Sequence, residues 1–250
     1  MTLAVATAAQ AAPGRRLVKS TGTGEEHWRT DYIGKRMDAV QETPQAFLIE
    51  MSPNEVIVPH FHEVDQFQVF VAGAGSLCRD THPVRPLAVH YADHHTGYGP
   101  ITAGTHGYSY FTLRARTDSG AVYLHKPGYR EKLKPSRKRH HTAPDIVLGT
   151  EPVLLTRREI ARETLFSDAD GALGAWLMRL GPDMETDGPD PRNTGGQYYL
   201  VVNGSLDIDG QSCAAWTTVF VGAADAPMKI RAGSGGAEVL LMQFSIPETA

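Results

Sequence analysis

From Gln45 onward the chain runs as short apolar stretches separated by turn-forming residues. Positions 47–51, 56–58, 67–71, 87–91 and 108–115 are rich in β-branched, aromatic and aliphatic side chains and have the length of strands. Glycine- and proline-bearing segments at 73–75, 97–100 and 104–107 fall between them and read as turns. A sustained 3.6-residue period is scarce, so helices are expected to be short and few, with one or two turns somewhere in 157–166. The pattern predicts an all-β protein.

The same pattern occurs twice. Ala46-Phe-Leu-Ile-Glu-Met-Ser-Pro53 reads against Ala175-Trp-Leu-Met-Arg-Leu-Gly-Pro182, and Gln66-Phe-Gln-Val-Phe-Val-Ala-Gly73 against Gln197-Tyr-Tyr-Leu-Val-Val-Asn-Gly204. Ala103-Gly-Thr-His-Gly-Tyr-Ser-Tyr-Phe-Thr-Leu113 reads against Ala232-Gly-Ser-Gly-Gly-Ala-Glu-Val-Leu-Leu-Met242. The offsets are 129, 131 and 129 residues, in the same order along the chain, which marks a duplicated domain. A chain of 250 residues has room for two domains of ordinary size. The expected division is a tail over 1–14, a first domain over 15–125, a basic linker over 126–150 and a second domain over 151–250. The alanine-rich start has no basic segment before its apolar stretch, so it reads as a frayed tail or an arm reaching a neighbouring subunit, not a signal peptide.

Composition narrows the class. With 41% hydrophobic and 21% charged residues the chain is globular, and 25 glycines and 16 prolines suit many strands and tight turns. A net charge of −4 is mild and argues neither for nucleic acid nor for an anionic membrane surface as partner, and none is expected. No window approaches the roughly 18 continuous apolar residues of a membrane helix. Cys78 and Cys213 are too few for a disulfide framework and fit a reducing, cytoplasmic setting. The basic stretch from His125 to His141 reads as a solvated linker, with His140 and His141 exposed.

The candidate chemistry lies in Val58-Pro-His-Phe-His-Glu-Val-Asp-Gln-Phe-Gln-Val-Phe-Val-Ala-Gly73. Residues two apart on a strand share a face, so His60 and His62 offer two imidazoles to one space while Phe61 points the other way. Two neutral imidazoles make half a site for zinc, iron, copper or nickel. His62-Glu63 does not extend to a metalloprotease motif, because Gln66 stands at the second histidine, and no nucleophile elbow or dinucleotide fingerprint is present.

This segment resembles the first motif of the cupin family, in which HxH is followed by an acidic ligand and, six residues on, a glycine turn. Here Gln66 stands in the acidic place and Gly73 in the glycine place. The family's second motif resembles Leu87-Ala-Val-His-Tyr-Ala-Asp-His-His-Thr-Gly-Tyr-Gly-Pro-Ile101, with Tyr98 where a further histidine would fall. The resemblance implies two tandem cupin-type β-barrels, the second degenerate, and convergence of His60, His62, Gln66 and Tyr98 on one divalent transition metal in the first. Iron and zinc fit such a set best, with manganese, nickel and copper as alternatives. A phenolate at Tyr98 would replace the charge that Gln66 lacks, with His94, His95 or His106 in reserve should Tyr98 point away. Gln66 has an equal second reading as a structural amide, since Gln197 holds the same place in the second half where Pro191-Arg-Asn193 replaces HxH. Gln68, Tyr91 and Tyr110 are the candidates for contact with substrate, Tyr108 being another hydroxyl in reach.

Cupins carry many functions, so fold alone does not fix this one. The leading expectation is a metal-dependent enzyme acting on a small organic metabolite, with non-haem iron dioxygenation first among reaction types. The alternatives are a non-catalytic metal- or metabolite-binding sensor, and a metal-free isomerase or lyase using His60 with Glu63 or Asp65. Pairing through outer strands as a homodimer is what the family resemblance adds.

Overall fold

The computed structural model describes residues 3–20, 22–78 and 84–247. They form two compact units, one of residues 12–146 and one of residues 147–250 together with the first eleven. β1 (Ala4–Ala6) and α1 (Ala8–Ala11) come first in the chain. The unit of 12–146 holds β2 (Arg16–Lys19), β3 (Glu26–Ile33), β4 (Gln45–Met51), β5 (Val56–Ile57), β6 (His60–Phe61), β7 (Gln66–Leu77), β8 (Ala88–Ala92), β9 (Ile101–Arg114), β10 (Val122–Tyr123) and β11 (His140–Ala143). After α2 (Glu151–Thr156) follow β12 (Ala161–Ser167), β13 (Gly174–Leu180), β14 (Glu185–Asp187), β15 (Gln197–Ile208), β16 (Gln211–Ala214), β17 (Thr218–Val221) and β18 (Lys229–Gln243).

The first unit is an antiparallel sheet in the order β11-β8-β7-β9-β4-β3-β2, with β5 on β9 and a separate pair of β10 with β6. The second repeats this plan as β1-β17-β15-β18-β13-β12, with β14 on β18 and β16 on β15. Each encloses its own core: Phe47, Ile49, Phe70, Tyr98, Tyr108 and Tyr110 among others in the first, and Trp176, Met178, Tyr199, Val219, Val239 and Leu241 in the second. Among the described residues no helix is long and apolar enough to cross a membrane.

The glycines at 73–75 and 104–107 are not turns. They are bends inside two long strands, β7 of 12 residues and β9 of 14. Gly73 (φ +75°) and Gly107 (φ +78°) take backbone angles that L side chains rarely adopt, and the β7–β9 register slips on either side of residue 72. Gly204 (φ +69°) and Gly236 (φ +78°) do the same where β15 crosses β18. A methyl group at Gly73 would overlap the Gly107 carbonyl, and one at Gly204 the Gly236 carbonyl. The repeat seen in the sequence is thus a repeated close crossing of two backbones.

Three expectations need correction. Residues 4–6 are not a free tail: β1 pairs with β17, covering that strand's open edge. The linker is not solvated throughout, because β11 pairs with β8 and Arg139 forks onto Asp93 (2.9 Å). The helix expected in 157–166 lies earlier, at Glu151–Thr156, where Pro152 sits in its first turn, and Ala161–Ser167 is instead an edge strand on β13.

Candidate functional site

The HxH segment is held by backbone pairing on two sides. His60 lies opposite Tyr123 in the β6–β10 pair. On its other side it lies opposite Tyr98, each backbone N–H donating to the other's carbonyl (3.1 and 3.0 Å). Residues directly opposed in an antiparallel pair project to one face, so His60 and Tyr98 meet in the interior. Their ring centroids are 4.6 Å apart; those of His60 and His62 are 5.1 Å apart at 85°, and those of His62 and Tyr98 are 6.4 Å apart.

Both imidazoles are fixed by their Nδ1 atoms. His60 Nδ1 donates to the Val58 carbonyl (2.8 Å), and His62 Nδ1 donates to Asp118 (2.6 Å). Burial, then the neighbouring His62, push the His60 pKa down to about 3. Burial and the Arg114 guanidinium push that of His62 down as well. Both rings are neutral at pH 7, with Nε2 carrying the lone pair. The Tyr98 hydroxyl, whose pKa burial raises, donates to His60 Nε2 (3.0 Å) and accepts from the Gln66 amide.

A buried ion cluster supports this set. Arg114 donates to Gln66 Oε1 (2.9 and 3.1 Å) and to Gln45 Oε1 (2.8 Å), and stands 3.3 Å from Asp118. Its Nη2 is 3.1 and 3.2 Å from the two ring nitrogens of His62. Asp118 also accepts from the backbone N–H groups of Glu63 and Gly120. Burial opposes its charge, but His62, Arg114 and these hydrogen bonds together hold its carboxyl well below the usual range. A second cluster lies on the far side of Tyr98. His90 donates from Nδ1 to Gln68 Oε1 (3.0 Å), and its Nε2 meets His140 Nε2 at 2.7 Å. The His90 and Tyr98 ring centroids are 5.3 Å apart.

A cavity of about 190 Å³ is lined by His60, His62, Gln66, Gln68, Tyr98 and Tyr110, with Arg114 and Asp118 of the ion cluster. Tyr91 does not line it: its hydroxyl donates to Asp93 (2.6 Å) on the opposite face of β8 from His90. Gln66 turns its carbonyl to Arg114 and its amide N–H to the Tyr98 hydroxyl. His94 is bound to Asp65 (2.7 Å), Glu63 accepts from Ser119 (2.9 Å), and His106 is an exposed residue of β9; none reaches His60. His95 packs on Phe61, outside the site. His140 is exposed, as expected, and also brings its ring to His90.

Gln45, His90, Arg114, Asp118 and His140 were not singled out from the sequence. Arg114 had a signal: it shares strand parity with Tyr110, four residues earlier, and therefore the inward face. Asp118 and His140 had none, because they reach the site from segments whose path the strand pattern does not specify.

The donor chemistry suits a divalent transition ion. Imidazoles that give up Nδ1–H to a carbonyl and a carboxylate are oriented as metal ligands commonly are, with Nε2 facing inward. Among the described residues no group of three or more His, Cys, Asp or Glu side chains is fit to hold a metal; beside the two imidazoles, the Tyr98 oxygen lines the same cavity.

Comparison with known proteins gives the fold. No family model and no curated protein sequence matches the chain. Among solved structures, a Nostoc punctiforme protein named as a "putative dioxygenase" superposes with a TM-score of 0.57 at 11% identity, covering 95% of this chain and 80% of its own. Oxalate decarboxylase from Bacillus subtilis gives 0.57 at 12%, covering 98% and 77%. The Escherichia coli pirin YhhW, solved with nickel(II), gives 0.56 at 13%, covering 98% and 100%. At these identities the likeness is one of architecture. The protein has an all-β, cupin-type fold.

Proposed function

We propose that the first unit binds one divalent transition metal through Nε2 of His60, Nε2 of His62 and the Tyr98 oxygen, and that the protein acts on a small organic metabolite in the adjoining cavity. One observation carries the reading. Two neutral imidazoles with their Nδ1 atoms already committed turn their remaining nitrogens into a cavity that Tyr98 shares. When bound, such an ion polarises a substrate oxygen or activates dioxygen. The chain's own residues prepare that chemistry. Asp118 fixes the tautomer of His62, Gln66 holds the Tyr98 hydroxyl against His60, and Arg114 locks Gln66 and Asp118 together. The finer form of the proposal is an iron site and an oxygenase reaction. The nickel in the pirin and the manganese(II) centres named for oxalate decarboxylase support the coarser form, a divalent ion on this fold.

Metal analysis of the purified protein tests it. About one ion per chain is expected, lost in His60→Ala and in His62→Ala with the fold intact by circular dichroism. Dioxygen uptake with candidate metabolites then tests the oxygenase form. Metal-free wild-type protein that refuses iron, zinc, manganese and nickel defeats the proposal.

One observation favours a second reading, metal-free acid–base catalysis. The Arg114 guanidinium, a permanent cation, stands 3.2 Å from His62 Nε2 and works against a second positive charge there. The pair in that case is His62 with Asp118, in place of His60 with Glu63 or Asp65. Turnover by the chelated protein that is abolished in Asp118→Asn selects this reading.

A further inference from the structure

The cavity wall on the β2–β3 side is cationic to a degree that the site chemistry above does not use. Arg16, Lys19, Arg29, Arg36 and Arg114 line it, against one carboxylate, Asp118. Arg114 is consumed by Asp118, Gln66 and Gln45. Arg16 and Arg29 share the single carboxylate Asp31, at 2.6 and 2.8 Å. Arg36 reaches a neutral acceptor, the Ser119 carbonyl (3.2 Å). Arg29 is the most telling. Its guanidinium lies flat on Phe47, 3.6 Å from the ring centroid, and its Nη2 is buried without a hydrogen-bond partner. A buried, unsatisfied charged donor is costly, and the chain keeps one in the wall of a cavity.

From this arrangement we infer that the cavity takes an organic carboxylate, its anionic end on Arg29 and its apolar body directed inward. Lys19 and Arg36 are exposed at the rim and add to the attraction of an anion. With Nε already on Asp31 and Nη2 unpaired, the Arg29 guanidinium keeps a charged N–H donor for a carboxylate oxygen. Deeper in, Phe47, Ile49, Ile57 and Tyr110 offer apolar and aromatic wall to an organic body and nothing for a bare inorganic anion. About 190 Å³ holds a molecule of roughly aromatic-ring size, since cavities of about 150 Å³ accept benzene. The inference deepens the proposed function by naming a substrate class for the same cavity, and it rests on that reading only for turnover. Binding of the carboxylate needs no metal.

Titration calorimetry at low ionic strength, on the full chain before and after treatment with chelator, tests it. The probes are benzoate, its neutral isostere benzamide, and inorganic phosphate. Benzoate is expected to bind both preparations, with benzamide and phosphate weaker by on the order of tenfold or more. Arg29→Gln should weaken benzoate on the order of tenfold and leave benzamide unchanged. Should Arg29→Gln lose the fold, the exposed pair Lys19→Gln and Arg36→Gln serves instead, with a several-fold loss that added salt reproduces in the wild type. Equal binding of benzoate and benzamide, tighter binding of phosphate, or an unchanged benzoate affinity in these variants overturns the inference. Benzoate bound by a protein that takes up no metal sinks the metal reading alone, and metal taken up without benzoate binding sinks this one alone.

Discussion

The two units share one backbone plan and treat its interior in opposite ways. At corresponding crossings the first unit places Arg114 against Gln66 and Gln45, and the second places Gln243 against Gln197. Arg114 and Gln243 stand 129 residues apart, the offset of the repeat. Where Gln68 faces His90 across β7 and β8, Tyr199 faces Val219 across β15 and β17. Tyr199 fills the space inward and donates to Gln197 (2.9 Å). All eleven histidines lie in residues 12–146, and the second unit has none. The glutamine that persists in both halves is therefore the structural constant of the plan. What changes is whether it braces a neutral amide or a buried guanidinium beside two imidazoles. Where the first unit has His90 and Arg114 the second has Val219 and Gln243, and Pro191-Arg-Asn193 stands in place of the HxH pair, so a cavity lined by imidazoles gives way to an apolar core.

The largest effect expected from breaking this contrast is on metal. His60→Ala and His62→Ala should each take the ion content from about one per chain to near zero. Gln197→Ala in the second unit should leave it unchanged, and elemental analysis reads both outcomes.

Next in size is the buried ion cluster. Arg114→Ala strands Asp118 in the interior and should cost about 3–5 kcal/mol in urea unfolding, the usual loss when one partner of a buried pair is removed. Arg114→Gln, which copies the second unit, still frees Asp118 and should cost nearly as much, whereas Arg114→Gln with Asp118→Asn should recover part of the loss. The mirror change Gln243→Arg places a buried charge against the neutral Gln197 amide and should destabilise by a similar amount. A mild outcome for Gln243→Arg would show that the plan tolerates a buried cation without its counter-ion.

Much of this contrast was legible before any coordinates. The repeat, the all-β plan and the HxH pair follow from parity and offset, because strand alternation is a local rule. The same rule would have turned Arg114 inward. Parity failed where a residue enters the site from outside the strand pattern. Asp118 follows β9 through an irregular turn, and His140 arrives on a strand hidden in a basic, proline-marked linker. The glycines at 73 and 107 were misread as turns because a left-handed glycine inside a bent strand and one in a hairpin leave the same trace in sequence. The N-terminal strand gave little sign, since Ala4-Val-Ala6 is too short to show a period and gains its place only from the open edge of β17.

Acid should separate the two units more gently. His60, His62 and His90 are held neutral by burial, each with its pKa below that of an exposed histidine. On unfolding they regain ordinary values near 6.5, so below that pH the unfolded chain binds more protons than the native one. Stability of the first unit is therefore complete above about pH 6.5 and declines as pH falls toward 3, the value to which His60 is lowered. The second unit, without histidine, has no such loss over this window. Trp28 reports on the first unit, and Trp176 and Trp216 on the second. Urea melts of single-tryptophan variants at pH 7.5 and 5 should show the Trp28 transition moving to lower urea while the others hold. Coincident shifts would mean that the units unfold as one.

The smallest change tests whether Tyr98 belongs to the scaffold or to the chemistry. Tyr98→Phe keeps the ring against His60 and removes one oxygen, leaving His60 Nε2 and the Gln66 amide without a partner. Two unmet buried groups argue for a loss of about 1–3 kcal/mol, partly offset where water enters a cavity of this size. A scaffold role predicts that loss and no more. A ligand role predicts in addition a fall in metal affinity larger than the stability change explains, because two imidazoles alone make a weak site. In the second unit Met228 stands near the corresponding position, buried and apolar, and the equivalent glutamine, Gln197, meets the hydroxyl of Tyr199 instead (2.9 Å). Both units thus set a tyrosine hydroxyl against this glutamine, from different strands, so metal affinity measured in Tyr98→Phe at matched stability separates a hydroxyl kept for the scaffold from one kept for the ion.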